Sequence, residues 1–192
     1  MGDIKSSWEI IRKKVDALGD LSPEERKKQS EERCQPIGNS LADEFLAGRE
    51  LREVEKDLLK YPVDDRNCIR QFAIRHLIDA VKLENSSILD RAIPGILTLS
   101  GREGTEKIIT RINDIFCEYG DIEKSERNNI EAAGREMLHQ QRISGSAIAM
   151  INLRAREEWR SKLSELAQPF EERLSKLKNE LLQQITASLP TY

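Results

Sequence analysis

Apolar residues recur at every third or fourth position along most of the chain, with polar residues between them. This spacing places the apolar side chains along one side of an α-helix. The clearest example runs through Ile108, Ile112, Ile115 and Tyr119, where β-branched residues are numerous but the period is helical. The pattern predicts an all-α protein, an irregular multi-helix bundle that ends in a long, kinked or restarted helix.

Capping residues, prolines and glycines divide this pattern into separate helices. Residues 22–25, Ser-Pro-Glu-Glu, combine a hydroxyl cap, a first-turn proline and an acid placed for a capping box, so a helix is expected to begin there. A shorter helix is predicted before it, over 8–18. The helix after Ser22 is expected to end before Pro36, because the residue preceding a proline disfavours the α conformation. Further breaks are predicted at Gly48, Pro62, Pro94 and Gly120.

The C-terminal fifty residues carry the most regular apolar stripe. From Ala147 no strong helix stop occurs before Pro169, and none follows until Pro190. We call the stripe in this region the seam; its members recur at steps of three or four residues and are Leu163, Leu166, Phe170, Leu174, Leu177, Leu181 and Ile185. The steps give an eleven-residue period, so the seam lies nearly parallel to the helix axis and differs from a leucine zipper.

Two questions about this helix stay open at the level of sequence. Pro169 either kinks a continuous helix or stands in the first turn of a new one. The seam either folds back on the chain's own bundle or pairs with a second copy or another protein, because a stripe of this size must be covered. The predicted domains are accordingly a bundle over 1–142 and a long helix over 143–192, which together form one cooperative unit if the helix packs on the bundle.

Composition and charge exclude several classes of protein. The chain has 31 basic and 34 acidic residues, a net charge of −3, and its charges are interleaved, so no nucleic-acid surface is predicted. Cys34, Cys68 and Cys117 are odd in number and lack a Cys-x-x-Cys spacing, which favours reduced, buried thiols over disulfides or a zinc site. Without a signal peptide or a membrane-length apolar run, we expect a cytoplasmic protein that does not bind membranes.

Few residues suggest chemistry. Glu136 and His139 have the Glu-x-x-His spacing of a di-metal helix bundle, but the other histidine, His76, follows Ala73 rather than a glutamate at that spacing. We therefore predict no catalytic residue, no metal ligand and no cofactor. The leading hypothesis is a non-enzymatic helical scaffold or adaptor that self-associates, as a homodimer, or binds a partner protein through the seam. The alternative is a helical enzyme or ligand binder with a polar pocket near Glu136, His139 and His76.

Overall fold

The computed structural model of the chain describes residues 22–101, 104–142 and 146–188, and the side chains in these ranges except those at 23, 64, 146–156, 158 and 188. The described residues form six α-helices and no strand, which confirms the predicted all-α, multi-helix fold. The helix predicted over 8–18 lies outside the described residues. The helices are α1 Pro23–Leu46, α2 Leu51–Leu58, α3 Val63–Ala80, α4 Ser86–Ser100, α5 Thr105–Gln141 and α6 Ser146–Ser188.

The start of α1 is the capping box that the sequence predicts. The backbone N–H of Glu25 donates to Ser22 Oγ at 3.2 Å, and the backbone N–H of Ser22 donates to Glu25 Oε2 at 2.9 Å. The bond from the Ser22 backbone holds the pKa of Glu25 below its ordinary value. Two N–H groups that the first helical turn leaves without partners are therefore satisfied locally.

Three helices continue through a proline, at Pro36 in α1, Pro94 in α4 and Pro169 in α6. The predicted helix end before Pro36 and the predicted break at Pro94 are therefore wrong. Each proline is exposed, as is the residue four positions before it, so water can replace the N–H that the carbonyl of that residue loses. Packing of apolar residues on both sides of each proline offsets the cost of about 3 kcal/mol.

Of the two helix breaks predicted at glycines, the one at Gly48 is confirmed and the one at Gly120 is wrong. Gly48 has a left-handed backbone, with φ of 127°, and separates α1 from α2 as predicted. Gly120 was expected to end a helix, but α5 runs through it. A glycine commonly ends a helix by adopting positive φ, as Gly48 and Gly101 do after α1 and α4, whereas Gly104, which also has positive φ, precedes α5.

The first half of the molecule is built on close, parallel packing of α1 against α3. Arg33 pairs with Asp65 near one end of the two helices, and Asp43 lies 2.7 Å from His76 Nε2 near the other. Between these pairs, Gly38 brings the two backbones together: a Cβ at this position would lie 2.6 Å from the Ile69 carbonyl oxygen. The buried stripe of α1 thereby reaches the core residues of α3.

Helices α5 and α6 form a long antiparallel hairpin. Arg111 donates to Glu180 at 3.0 Å and Arg173 donates to Glu118 at 2.7 Å, which fixes the register of the two helices. Between the ion pairs, buried Ile112 and Ile115 of α5 lie on the side of Leu174 and Leu177 of the seam. Just beyond the Arg173–Glu118 pair, the ring of Tyr119 meets that of Phe170 with centroids 5.6 Å apart.

Basic side chains from other elements hold the C-terminal ends of three helices. Arg91 of α4 donates to the carbonyls of Phe45, at 2.6 Å, and Arg49, at the end of α1 and just beyond it. Arg66 likewise donates to two carbonyls after α2. Lys178 of α6 lies 3.4 Å from the Asp79 carbonyl at the end of α3, and burial lowers the pKa of this lysine. Cations at these ends complement the helix dipole and carbonyls that lack intrahelical donors.

Candidate functional site

The seam divides into a covered part and an open part. Five of its members are buried in the chain's own core: Phe170, Leu174, Leu177, Leu181 and Ile185. The other two, Leu163 and Leu166, are half-buried. The sequence leaves open whether the chain itself or a partner covers the seam. For these five residues, the buried stripe of α5 provides the cover. A contact between molecules in this fold can therefore use Leu163 and Leu166, while the other five serve the core.

Beyond the core, the hairpin continues as a segment that we call the arm, residues 120–142 of α5 and its end together with residues 146–169 of α6. Among the described side chains of the arm, none is buried. Ile122 and Met137 are 38% and 49% exposed, although both are large and apolar. The half-buried apolar residues of the arm are Ile130, Leu138, Trp159, Leu163, Leu166 and Ala167. The described side chains of the arm are thus covered only in part.

A groove runs along one side of α6, from Arg160 within the arm to Leu182. It consists of two adjoining cavities of about 360 and 420 Å³ that share Leu83, Glu84 and Glu171 in their lining. Its opposite wall is the connection between α3 and α4, with α5 contributing Tyr119 at the end nearer the arm. Apolar members of the lining on α6 are Leu163, Ala167, Leu174 and Leu182.

The groove is lined by Arg160 at the end within the arm and by the carboxylates of Glu84, Glu123 and Glu171 near Tyr119. Burial raises the pKa of Tyr119, and the carboxylates of Glu123, Glu171 and Glu84 raise it further. Arg160 lines the arm end of the groove. Within the described residues, neither Arg160 nor Glu171 forms an ion pair, in contrast to the paired Arg111 and Arg173 on the hairpin.

The residues of the alternative hypothesis are not gathered into a pocket. Glu136 and His139 lie exposed on the arm, where Glu136 accepts a bond from Gln140 at 2.9 Å. His76 lies on α3 and contacts Asp43 of α1. Neither cavity of the groove is lined by any of these three residues. Within the part of the chain that the structure describes, no group of three or more His, Cys, Asp and Glu side chains is placed to hold a metal ion.

The three thiols differ in their surroundings. Cys34 is buried and Cys68 is half-buried beside it, between α1 and α3. Burial, followed by the hydrogen bond with Cys34, raises the pKa of Cys68 to about 12. Cys117 is exposed on α5, so the expectation of a buried thiol is wrong there: its position on the helix faces away from the seam.

The groove and the close contact of α1 with α3 at Gly38 were not predicted from the sequence, which carries a local signal for the second of these only. The groove depends on the α3–α4 connection lying beside α6, a tertiary contact with no local signal. Gly38 has one: it stands four residues after Cys34 and three before Leu41 on the apolar stripe of α1, where a residue without a side chain indicates a close helix contact.

The fold and surface place the chain in the class of all-α proteins with a long helical hairpin. The chain matches no known family model, no curated protein and no solved structure, so no function is transferred to it by similarity. In the described ranges, no helix combines the length and the apolar character required to cross a membrane.

Proposed function

We propose that this protein is a non-enzymatic helical scaffold that self-associates through its arm. The observation that carries the proposal is that no described side chain of the arm is buried, although apolar residues continue along both of its helices. A pair of helices gains most of its stability from burying an apolar face, and isolated helical segments are marginal in water. Association would supply the additional burial.

The sequence of the arm supports this proposal independently of its surface. Residues 147–153, in the first turns of α6, read Ala-Ile-Ala-Met-Ile-Asn-Leu, with one polar residue among seven. Such a run is unusual for a helix with a single neighbouring helix, because a helix that is apolar on all sides is ordinarily enclosed. We infer that a further helical surface covers this part of the arm.

The charges of the arm are compatible with a second copy of the chain as the partner. The arm carries eight basic and eight acidic residues. Two copies therefore do not repel each other through net charge, and no excess of positive charge attracts nucleic acid or anionic lipid. The role that we propose is accordingly architectural, in the cytoplasm, without a cofactor.

The proposal is tested by the mass of the full chain in solution across a concentration series, measured by sedimentation equilibrium. The weight-average mass is expected to rise from 22.0 kDa toward that of a dimer. Leu163→Glu, at a half-buried seam position of the arm, is expected to weaken association at least tenfold, because it places a charge on the apolar surface proposed for the contact.

Leu59→Glu is the matched control. Leu59 is a large apolar residue that is 63% exposed on the opposite half of the molecule, so the same chemical change there should leave association unaltered. Circular dichroism establishes that both variants keep their helices. A wild-type chain that stays at its monomer mass at every concentration contradicts the proposal, as does equal weakening by the two substitutions.

A further inference from the structure

The groove along α6 has opposite charges at two positions of one helix face. Arg160 and Glu171 are eleven residues apart, which is three helical turns, so they lie on the same face about 16 Å apart. Both line the groove, both are exposed, and neither has an ion-pair partner among the described residues. Between them the lining consists of the apolar or small residues Leu163, Ser164 and Ala167.

This arrangement is complementary to itself. In a two-fold dimer, each residue of the contact surface meets the symmetry-related part of the same surface on the other copy. If two α6 helices cross antiparallel with the axis between Ser164 and Ala167, Arg160 of each copy comes opposite Glu171 of the other. The small side chains at the centre allow the two helices to approach closely, and Leu163 flanks them.

We propose that a second copy of this chain binds in the groove, with α6 of each copy antiparallel to α6 of the other and with Arg160 of each paired to Glu171 of the other. This inference rests on the proposed self-association and specifies its site. The same register brings residues 149–171 of one copy along the groove positions 160–182 of the other.

Charge reversal tests the pairing. Arg160→Glu and Glu171→Arg each place two like charges together in the dimer, and each is expected to weaken self-association at least tenfold. Combining both substitutions in one chain restores opposite charges and should restore the dimer. Lys162→Glu and Glu172→Arg are the matched controls, because they make the same charge changes at neighbouring exposed positions outside the groove lining.

A mixture of the two single variants separates contact between molecules from an effect on folding. In a dimer of one Arg160→Glu chain with one Glu171→Arg chain, one contact pairs two introduced charges and the other pairs two native ones. The mixture should therefore associate although each variant alone does not. Sedimentation equilibrium measures this directly, with circular dichroism as the check on helicity.

The outcomes separate self-association itself from the groove as its site. A monomeric wild type overturns self-association itself. A wild-type dimer that the single charge reversals leave unchanged keeps the scaffold role and overturns the groove as its site. Single variants that lose the dimer but do not recover it, either mixed or combined in one chain, also overturn the pairing, because the loss then has another cause.

Discussion

Replacement of Gly38 by alanine is a severe test of the parallel packing of α1 and α3. The added Cβ would lie 2.6 Å from the Ile69 carbonyl oxygen, 2.7 Å from Phe72 Cβ and 2.9 Å from the Ala73 nitrogen. Two of these atoms belong to the backbone of a helix and cannot turn aside. Bringing the closest contact to an ordinary 3.4 Å requires the two helices to separate by about 0.8 Å.

The size of the effect follows from two opposing contributions. Overpacking of a well-packed core costs about 1 to 3 kcal/mol, and contact with backbone atoms places Gly38→Ala near the upper end. The better helix propensity of alanine returns about 1 kcal/mol. We expect a net loss of about 2 kcal/mol, which lowers the Tm of a chain of this length by about 4 to 8 °C.

The control is Gly120→Ala, also inside a helix. Among the described residues, no atom beyond its own helical turn and chain neighbours lies within 4 Å of the Cβ that it would add. It should therefore gain about 0.5 to 1 kcal/mol and raise the Tm by about 1 to 4 °C. Urea denaturation followed by circular dichroism compares the two variants. If Gly38→Ala stabilises the protein as Gly120→Ala does, the two helices are not in contact at Gly38.

Two further predictions concern the core and the thiols. Leu181→Ala should lower the free energy of unfolding by about 2 to 5 kcal/mol, because the side chain is fully buried. Leu59→Ala, at an exposed position, should change it by no more than about 0.5 kcal/mol. Equal effects of the two substitutions in urea denaturation would contradict the placement of the seam. Maleimide labelling of the native protein should modify Cys117 well before Cys68 and Cys34. Cys117 is exposed, Cys34 is buried, and burial keeps the Cys68 thiol protonated. Peptide mass spectrometry identifies the labelled thiol, and rapid labelling of Cys34 is the contrary outcome.

The parts of the fold that the sequence predicts are those governed by local chemistry. The start of α1 depends on Ser22 and Glu25, which are three residues apart and find each other without help from the rest of the chain. The regular stripe that ends at Tyr119 likewise predicts the buried face of α5.

The incorrect predictions arise where tertiary packing outweighs a local preference. Pro36 and Pro94 disfavour the helix at their own positions, but each lies on an exposed face while buried residues on both sides hold the helix against the core. Local chemistry also cannot specify what covers the seam, because the answer depends on how α5 meets α6. The arm and groove depend on the same long-range arrangement.

The length of α6 affects how the oligomeric state must be measured. Its 43 residues extend about 65 Å, whereas a compact chain of 192 residues is about 42 Å across. A molecule with such a projection experiences more hydrodynamic drag than a sphere of equal mass, so even a single chain elutes early in gel filtration. Elution volume would therefore overstate the mass, and equilibrium sedimentation, which is independent of drag, distinguishes an elongated monomer from a true pair.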